Sequence, residues 1–174
     1  MARRKFVVGD VFVVQLDSDR AAVGQLIGER EPRGLYYVAL FGPLSTKDLR
    51  PEEAIRGKPA ILGLTMDARL LSGDWKIVAN AIPNPDIELP AYKVARSSVE
   101  NGQVTRNWVV EDFSGTRSRP TSAAEASRLP FRTVSSPMVL EGAMRSLAGL
   151  EPWHEAYDKL RPADQPTSRQ VFGS

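Results

Sequence analysis

Apolar positions along the chain fall first into short runs with strand-like spacing, and later into stripes with helical spacing. Val11-Phe12-Val13-Val14-Gln15-Leu16 is apolar at both parities, which predicts a strand buried on both faces or at a barrel seam. The polar turn Asp17-Ser18-Asp19-Arg20 leads to a second strand, Ala22-Val23-Gly24-Gln25-Leu26-Ile27-Gly28. Its glycines permit bending or close backbone approach. A charged loop follows, and then Leu35-Tyr36-Tyr37-Val38-Ala39-Leu40-Phe41, rich in aromatic and β-branched residues and closed by Gly42-Pro43, gives the third strand of a meander.

Pro51 followed by Glu52 and Glu53 predicts the first turn of a short helix. Residues 60–66 predict another strand. After the Ser72-Gly73-Asp74 turn, Trp75, Ile77 and Ala79 share a face opposite Lys76 and Asn80. Pro83, Pro85 and Pro90 impose an extended stretch, and a strand resumes at Ala91-Tyr92-Lys93-Val94. Asn101-Gly102 predicts a type I′ hairpin, because both central residues of that turn need positive φ. On its second arm Val104, Trp108 and Val110 face one way, with Arg106 as the polar intruder.

Residues 114–136 read as a small, polar, basic loop or linker. Ser136-Pro137 then supplies an N-cap and an N1 proline for a helix whose stripe is Val139, Leu140, Ala143, Met144, Leu147 and Leu150. Gly149 ends it, and Pro152 opens a second helix with Trp153, Ala156, Tyr157 and Leu160 on one face. Strands followed by helices predict an α+β fold: a curved, mostly antiparallel sheet or partly closed β-barrel of about six to eight strands, with two C-terminal helices. The expected organisation is a β-rich domain over 1–113, a linker over 114–136 and a helical appendage over 137–174 that packs on the same domain. Trp75, Trp108, Val13, Val38, Leu40 and Ile77 are the expected core.

Composition narrows the chemistry. The chain has 174 residues, 42% hydrophobic and 25% charged, as in ordinary globular proteins. It has no cysteine, so disulfides, thiolate nucleophiles and Cys-type zinc sites are excluded. The apolar run after Arg3-Arg4-Lys5 ends at Gly9-Asp10, too short for a secretory segment, and no stretch is long enough for a membrane helix. These features predict a cytoplasmic protein. A net charge of +2 is too small to argue for nucleic acid.

No Gly-x-Gly-x-x-Gly, Walker or Gly-x-Ser-x-Gly motif is present. His154, the only histidine, reads as a surface or half-buried residue beside Trp153. The acid pairs Glu52-Glu53 and Glu111-Asp112 read as a helix start and a strand end, since neighbours on a strand point to opposite faces. The sequence therefore predicts no catalytic residue, no cofactor and no metal. Arg117, Arg119, Arg128 and Arg132 form a basic stretch with no interleaved aromatic before Phe131, which favours a solvated loop over a stacking platform. The residues best equipped for a protein partner are Tyr92, Trp153, the acids Glu151, Glu155 and Asp158 at helical spacing beside Trp153, and Arg117 and Arg119.

Four segments occur in order: Gly9-Asp10-Val11-Phe12, Ala22 to Gly28, Gly73-Asp74-Trp75-Lys76-Ile77-Val78 and Leu89-Pro90-Ala91-Tyr92. Over residues 5–96 this arrangement resembles the immunity protein 26 family of bacterial polymorphic toxin systems. The resemblance implies a protein that binds and blocks a cognate toxin, and it carries no agreed contact residues. Two other readings stand beside it: a nucleic-acid-binding small barrel using Arg117, Arg119 and Arg3-Arg4-Lys5, and a hydrolase with dispersed acids.

Overall fold

The apolar runs form, in chain order, β1 (Asp10–Gln15), β2 (Arg20–Arg30), β3 (Leu35–Ser45), α1 (Pro51–Ala54), β4 (Ile61–Met66), α2 (Ala68–Ser72), β5 (Lys76–Asn80), β6 (Ala91–Glu100), β7 (Gln103–Asp112), β8 (Ser118–Pro120), α3 (Ala123–Arg128), β9 (Val134–Ser135), α4 (Pro137–Leu147) and α5 (Ser168–Phe172). Short 3-10 turns lie at Thr46–Asp48 and Glu155–Leu160. The computed structural model describes residues 6–31, 34–162 and 166–173. The chain divides into two compact units, one of Met1–Ile87 with Val134–Asp164 and one of Glu88–Thr133 with Gln165–Ser174. The fold is α+β.

In the first unit a six-stranded sheet runs in the order β5-β1-β2-β3-β4-β9. Every neighbouring pair is antiparallel except β4 with β9. The sheet is open, so of the two expected forms, open sheet and partly closed barrel, the sheet is the one adopted. Asp17 builds the β1–β2 turn: its Oδ1 accepts from the backbone N–H groups of Asp19 at 2.9 Å and Arg20 at 2.7 Å. β3 does not stop at Gly42-Pro43 as its sequence suggests. It continues to Ser45 because the register with β2 shifts between Ala21 and Val23, and this bulge absorbs the interruption.

α4 covers one face of this sheet. Its Leu140, Ala143 and Met144 pack with Phe12, Val14, Leu26, Val38, Leu40, Ile61, Trp75 and Leu160. Ser136 caps α4 as its sequence predicts, with Oγ accepting from Met138 N at 3.3 Å. Trp75 stacks on Phe12 with centroids 4.8 Å apart and planes 8° apart, and its Nε1 donates to Glu141 Oε1 of α4 at 2.8 Å. Arg69 reaches the same carboxylate at 3.1 Å.

The second unit holds a three-stranded antiparallel sheet, β6-β7-β8, whose small core is Ala91, Val110 and Leu129 packed by Val171 and Phe172. Asn101 and Gly102 take φ of +53° and +77° and close the β6–β7 hairpin with Glu100 opposite Gln103.

Three expectations need correction. Val13, Ile77 and Trp108 are half-buried, while Trp75, Val38 and Leu40 are core. The stretch 114–136, read as loop, carries β8, α3 and β9: β8 turns back onto the adjacent β7, and β9 pairs with β4, a partner distant in sequence. The second α-helix expected from Pro152 is instead the 3-10 turn Glu155–Leu160. His154 holds an extended conformation (φ −107°, ψ 139°) and its ring accepts from Ala156 N, so the helix cannot begin three residues earlier. Among the described residues no helix is long and apolar enough to cross a membrane.

Candidate functional site

The titratable groups that could do chemistry are scattered. His154 is exposed; its Nδ1 accepts from Ala156 N at 3.1 Å, and its ring lies 5.8 Å from that of Tyr157. Glu52 and Glu53 sit exposed in the first turn of α1. Glu111 and Asp112 diverge, as alternation along β7 requires. Glu111 pairs with Arg96 at 3.0 Å, and Asp112 turns into the 112–117 loop. There burial would raise the Asp112 pKa, but bonds from Arg117 N, Ser114 Oγ and Arg117 Nε outweigh it and hold the carboxyl below its ordinary range. Among the described residues no group of three or more His, Asp or Glu side chains could hold a metal ion.

The residues expected to meet a partner separate into three places. Tyr92 is buried at 6% exposure, so its ring presents almost no surface. Trp153 is half-buried, donates from Nε1 to Asp158 Oδ1 at 2.9 Å, meets Tyr157 edge-on at 5.4 Å, and lies under the Arg161 guanidinium at 4.3 Å. Glu151, Glu155 and Asp158 are exposed around it, with Glu151 bonded to Arg145. Their spacing follows a 3-10 turn, not the expected α-helix. Arg117 and Arg119 lie on and beside β8, and both are committed. Arg117 pairs with Asp112 at 3.3 Å, Arg119 binds both oxygens of Glu125 at 2.5 and 2.9 Å, and both cations lie against the Phe172 ring. The Arg119 guanidinium lowers the Glu125 pKa from 4.5 to about 2, with a smaller contribution from the Thr121 hydroxyl. Arg3, Arg4 and Lys5 lie outside the described residues.

Two surfaces expose apolar side chains that neither core uses. In the first unit a groove of about 570 Å³ runs between α1 and the extended 81–86 segment, lined by Glu52, Ile55, Arg56, Ile82, Pro83 and Asp86 among others. A neighbouring hollow bounded by Arg50, Glu53, Val78 and Ala79 shares Glu52 and Arg56 with it. Ile82 is 92% exposed. In the second unit the outer half of the β6–β7 hairpin stands as a bare two-stranded ribbon, because β8 pairs only with Val109–Glu111. Val99 and Val104, opposite one another near its tip, are 70% and 72% exposed.

The chain matches the family model for immunity protein 26 over residues 7–102, more than half its length. The chain belongs to the immunity protein 26 family. That membership places it among the immunity proteins of toxin systems. No curated protein and no solved structure matches the chain.

The family-bearing segments turn out to be structural parts of this immunity protein. Gly9 adopts φ +100°, where a Cβ would stand 2.8 Å from Ala81 O. Asp10 is buried; its Oδ2 accepts from Val7 N and its Oδ1 from Asn80 Nδ2, both at 3.0 Å. Trp75 fills the core. The match spans the whole groove and ends in the hairpin turn. Val99, Phe131 and Ile82 were not singled out by sequence reasoning. For Val99 the usable signal was its place opposite Val104, two residues from Asn101-Gly102.

Proposed function

We propose that this immunity protein binds a cognate toxin directly in the cytoplasm and neutralises it by covering its working surface, without catalysing a reaction. The observation that carries the reading is the family match over residues 7–102. Support comes from apolar side chains left outside both cores, Val99, Val104 and Ile82 above all, since clustered exposed apolar groups mark interaction surfaces. Steric inhibition needs a complementary patch with a few anchors that become buried, and no convergent acid–base pair. Trp153, half-buried against the first core and ringed by Glu151, Glu155 and Asp158, is a further patch, with an amphipathic ring suited to an interface. Pairing of Arg117 with Asp112 and of Arg119 with Glu125 removes two cations from the nucleic-acid reading.

The test is co-expression with the toxin domain encoded by the adjoining open reading frame. Growth should be restored, and the two proteins should co-elute on gel filtration. Persistent killing, with no complex between the purified proteins, refutes the reading.

A further inference from the structure

The β6–β7 hairpin leaves bare at its tip the same face that it buries at its base. Cross-strand register places Val110 opposite Lys93, Trp108 opposite Ala95, Arg106 opposite Ser97 and Val104 opposite Val99, all on this face. At the base, Val110 is fully covered by Leu129, Val171 and Phe172. Cover then runs out at Phe131, which meets Trp108 with centroids 5.8 Å apart and is itself 55% exposed. Beyond it the valine pair stands in water. A cross-strand valine pair supports a hairpin by about 0.2–1 kcal/mol, but that role accounts neither for Phe131 and Trp108 on the same face nor for the cation, Arg106, that lies between them and the tip.

That charge has one sign. Arg106 lies between Trp108 and Val104 on this face, is exposed, and has no ion-pair partner among the described residues. The carboxylates at the base of this face are already bonded, Asp112 by Arg117 and Ser114 and Glu125 by Arg119. Arg96, on the opposite face, is paired with Glu111. The outer face is therefore an apolar stripe with uncompensated positive charge, and it complements a surface of opposite sign.

We infer that this ribbon face docks the toxin, and that the toxin surface it accepts is apolar with an acidic group set among its apolar ones. The inference rests on the toxin-binding reading above and adds the place and the chemistry. Val99, Val104 and Trp108 become the desolvated centre. Arg106 steers the approach and rejects basic surfaces.

The test measures binding kinetics of the full chain to the toxin domain from the adjoining open reading frame, at low and at physiological salt, alongside growth rescue. The Val99→Ser/Val104→Ser double variant should weaken binding by about thirtyfold or more, mainly through faster dissociation. Arg106→Glu should slow association more than Arg106→Ala does, and both effects should shrink as salt rises. Thr105→Ala, on the opposite face, serves as the control and should bind like wild type. All these positions are exposed, and circular dichroism checks that each variant folds. If wild type binds and rescues while the double variant and Arg106→Glu do the same with unchanged kinetics, the inference falls and the toxin-binding reading stands. Tighter binding by Arg106→Glu would overturn the acidic partner. A wild-type dimer that the double variant dissolves would make a second copy the occupant and overturn the inference. Wild type that neither binds nor rescues removes both readings together.

Discussion

Replacing Gly24 by alanine probes the tightest point of the first unit's core. Gly24 lies in β2, opposite Phe12 of β1 and Leu40 of β3. A Cβ there would stand 2.2 Å from both Cε2 and Cζ of Phe12 and 2.9 Å from Leu40 Cδ2. Carbon–carbon contacts relax to about 3.5–4.0 Å, so the ring would have to retreat by about an ångström or more. It has nowhere to go. Phe12 is fully buried and stacked on Trp75, and the indole is tied to Glu141. Overpacking a core costs about 1–3 kcal/mol, and the rigid stack behind the ring places Gly24→Ala at the upper end, about 3 kcal/mol. Phe12→Ala alone should cost about 3–5 kcal/mol. In the double variant the new methyl enters the space left by the ring and the clash disappears, so the pair should be less destabilised than the sum of the two single changes by about 2 kcal/mol. Urea denaturation followed by tryptophan fluorescence and far-UV circular dichroism measures all three. A Gly24→Ala protein within about 0.5 kcal/mol of wild type, or a strictly additive cycle, refutes the packing argument.

Two further outcomes are expected. Glu141→Leu leaves the buried Trp75 N–H without its acceptor and Arg69 without one of its carboxylates, and should cost about 1–3 kcal/mol in the same urea experiment. Glu141→Gln retains a carbonyl oxygen for the indole and should cost less; equal losses from both would show that the indole bond contributes little. For the Glu125–Arg119 pair, NMR titration should find the Glu125 carboxyl ionised down to about 2, with Arg119→Gln returning it toward its ordinary 4.5. Because the folded pKa is depressed, the stabilisation is present above 4.5 and is lost as pH falls from 4.5 toward 2. Both side chains are more than a third exposed, so it is worth at most about 1 kcal/mol.

Much of the fold is legible where the physics is local. Positive φ at two adjacent residues makes Asn101-Gly102 a hairpin in any context, and Ser136-Pro137 starts a helix by satisfying its own first turn. Alternation in Trp75-Lys76-Ile77 survives because β5 is an edge strand with one covered face. Long-range choices were not legible. Pairing of β5 with β1, and of the two-residue β9 with β4, depends on surfaces that exist only after the meander forms. Similarly, Pro166 O accepts from Ala91 N at 2.9 Å and Ser168 Oγ donates to Pro90 O at 2.8 Å, which returns the last residues to the second unit. No local spacing encodes that return.

The candidate site divides along the same line. Arg117 and Arg119 look like a free basic loop in sequence because charge is visible there and its partner is not; in space Asp112 and Glu125 neutralise them. Arg106 looks like a flaw in an apolar strand face, and in space it is a cation on an uncovered surface with no ion-pair partner among the described residues. The segments whose order resembles the immunity protein 26 family hold residues of the opposite kind: Gly9 and Gly24 at close approaches, Asp10 fastening Val7 and Asn80, Trp75 within the core. Such residues hold a scaffold and cannot touch a partner. The proposed recognition falls to side chains outside the cores, and on the ribbon Val104, Arg106 and the half-buried Trp108 all lie beyond residue 102, where the family match ends. On the proposed reading, one scaffold can keep its fold while the outer positions of the return strand, Val104 and Arg106, are altered to suit a different toxin, since both are exposed and belong to neither hydrophobic core.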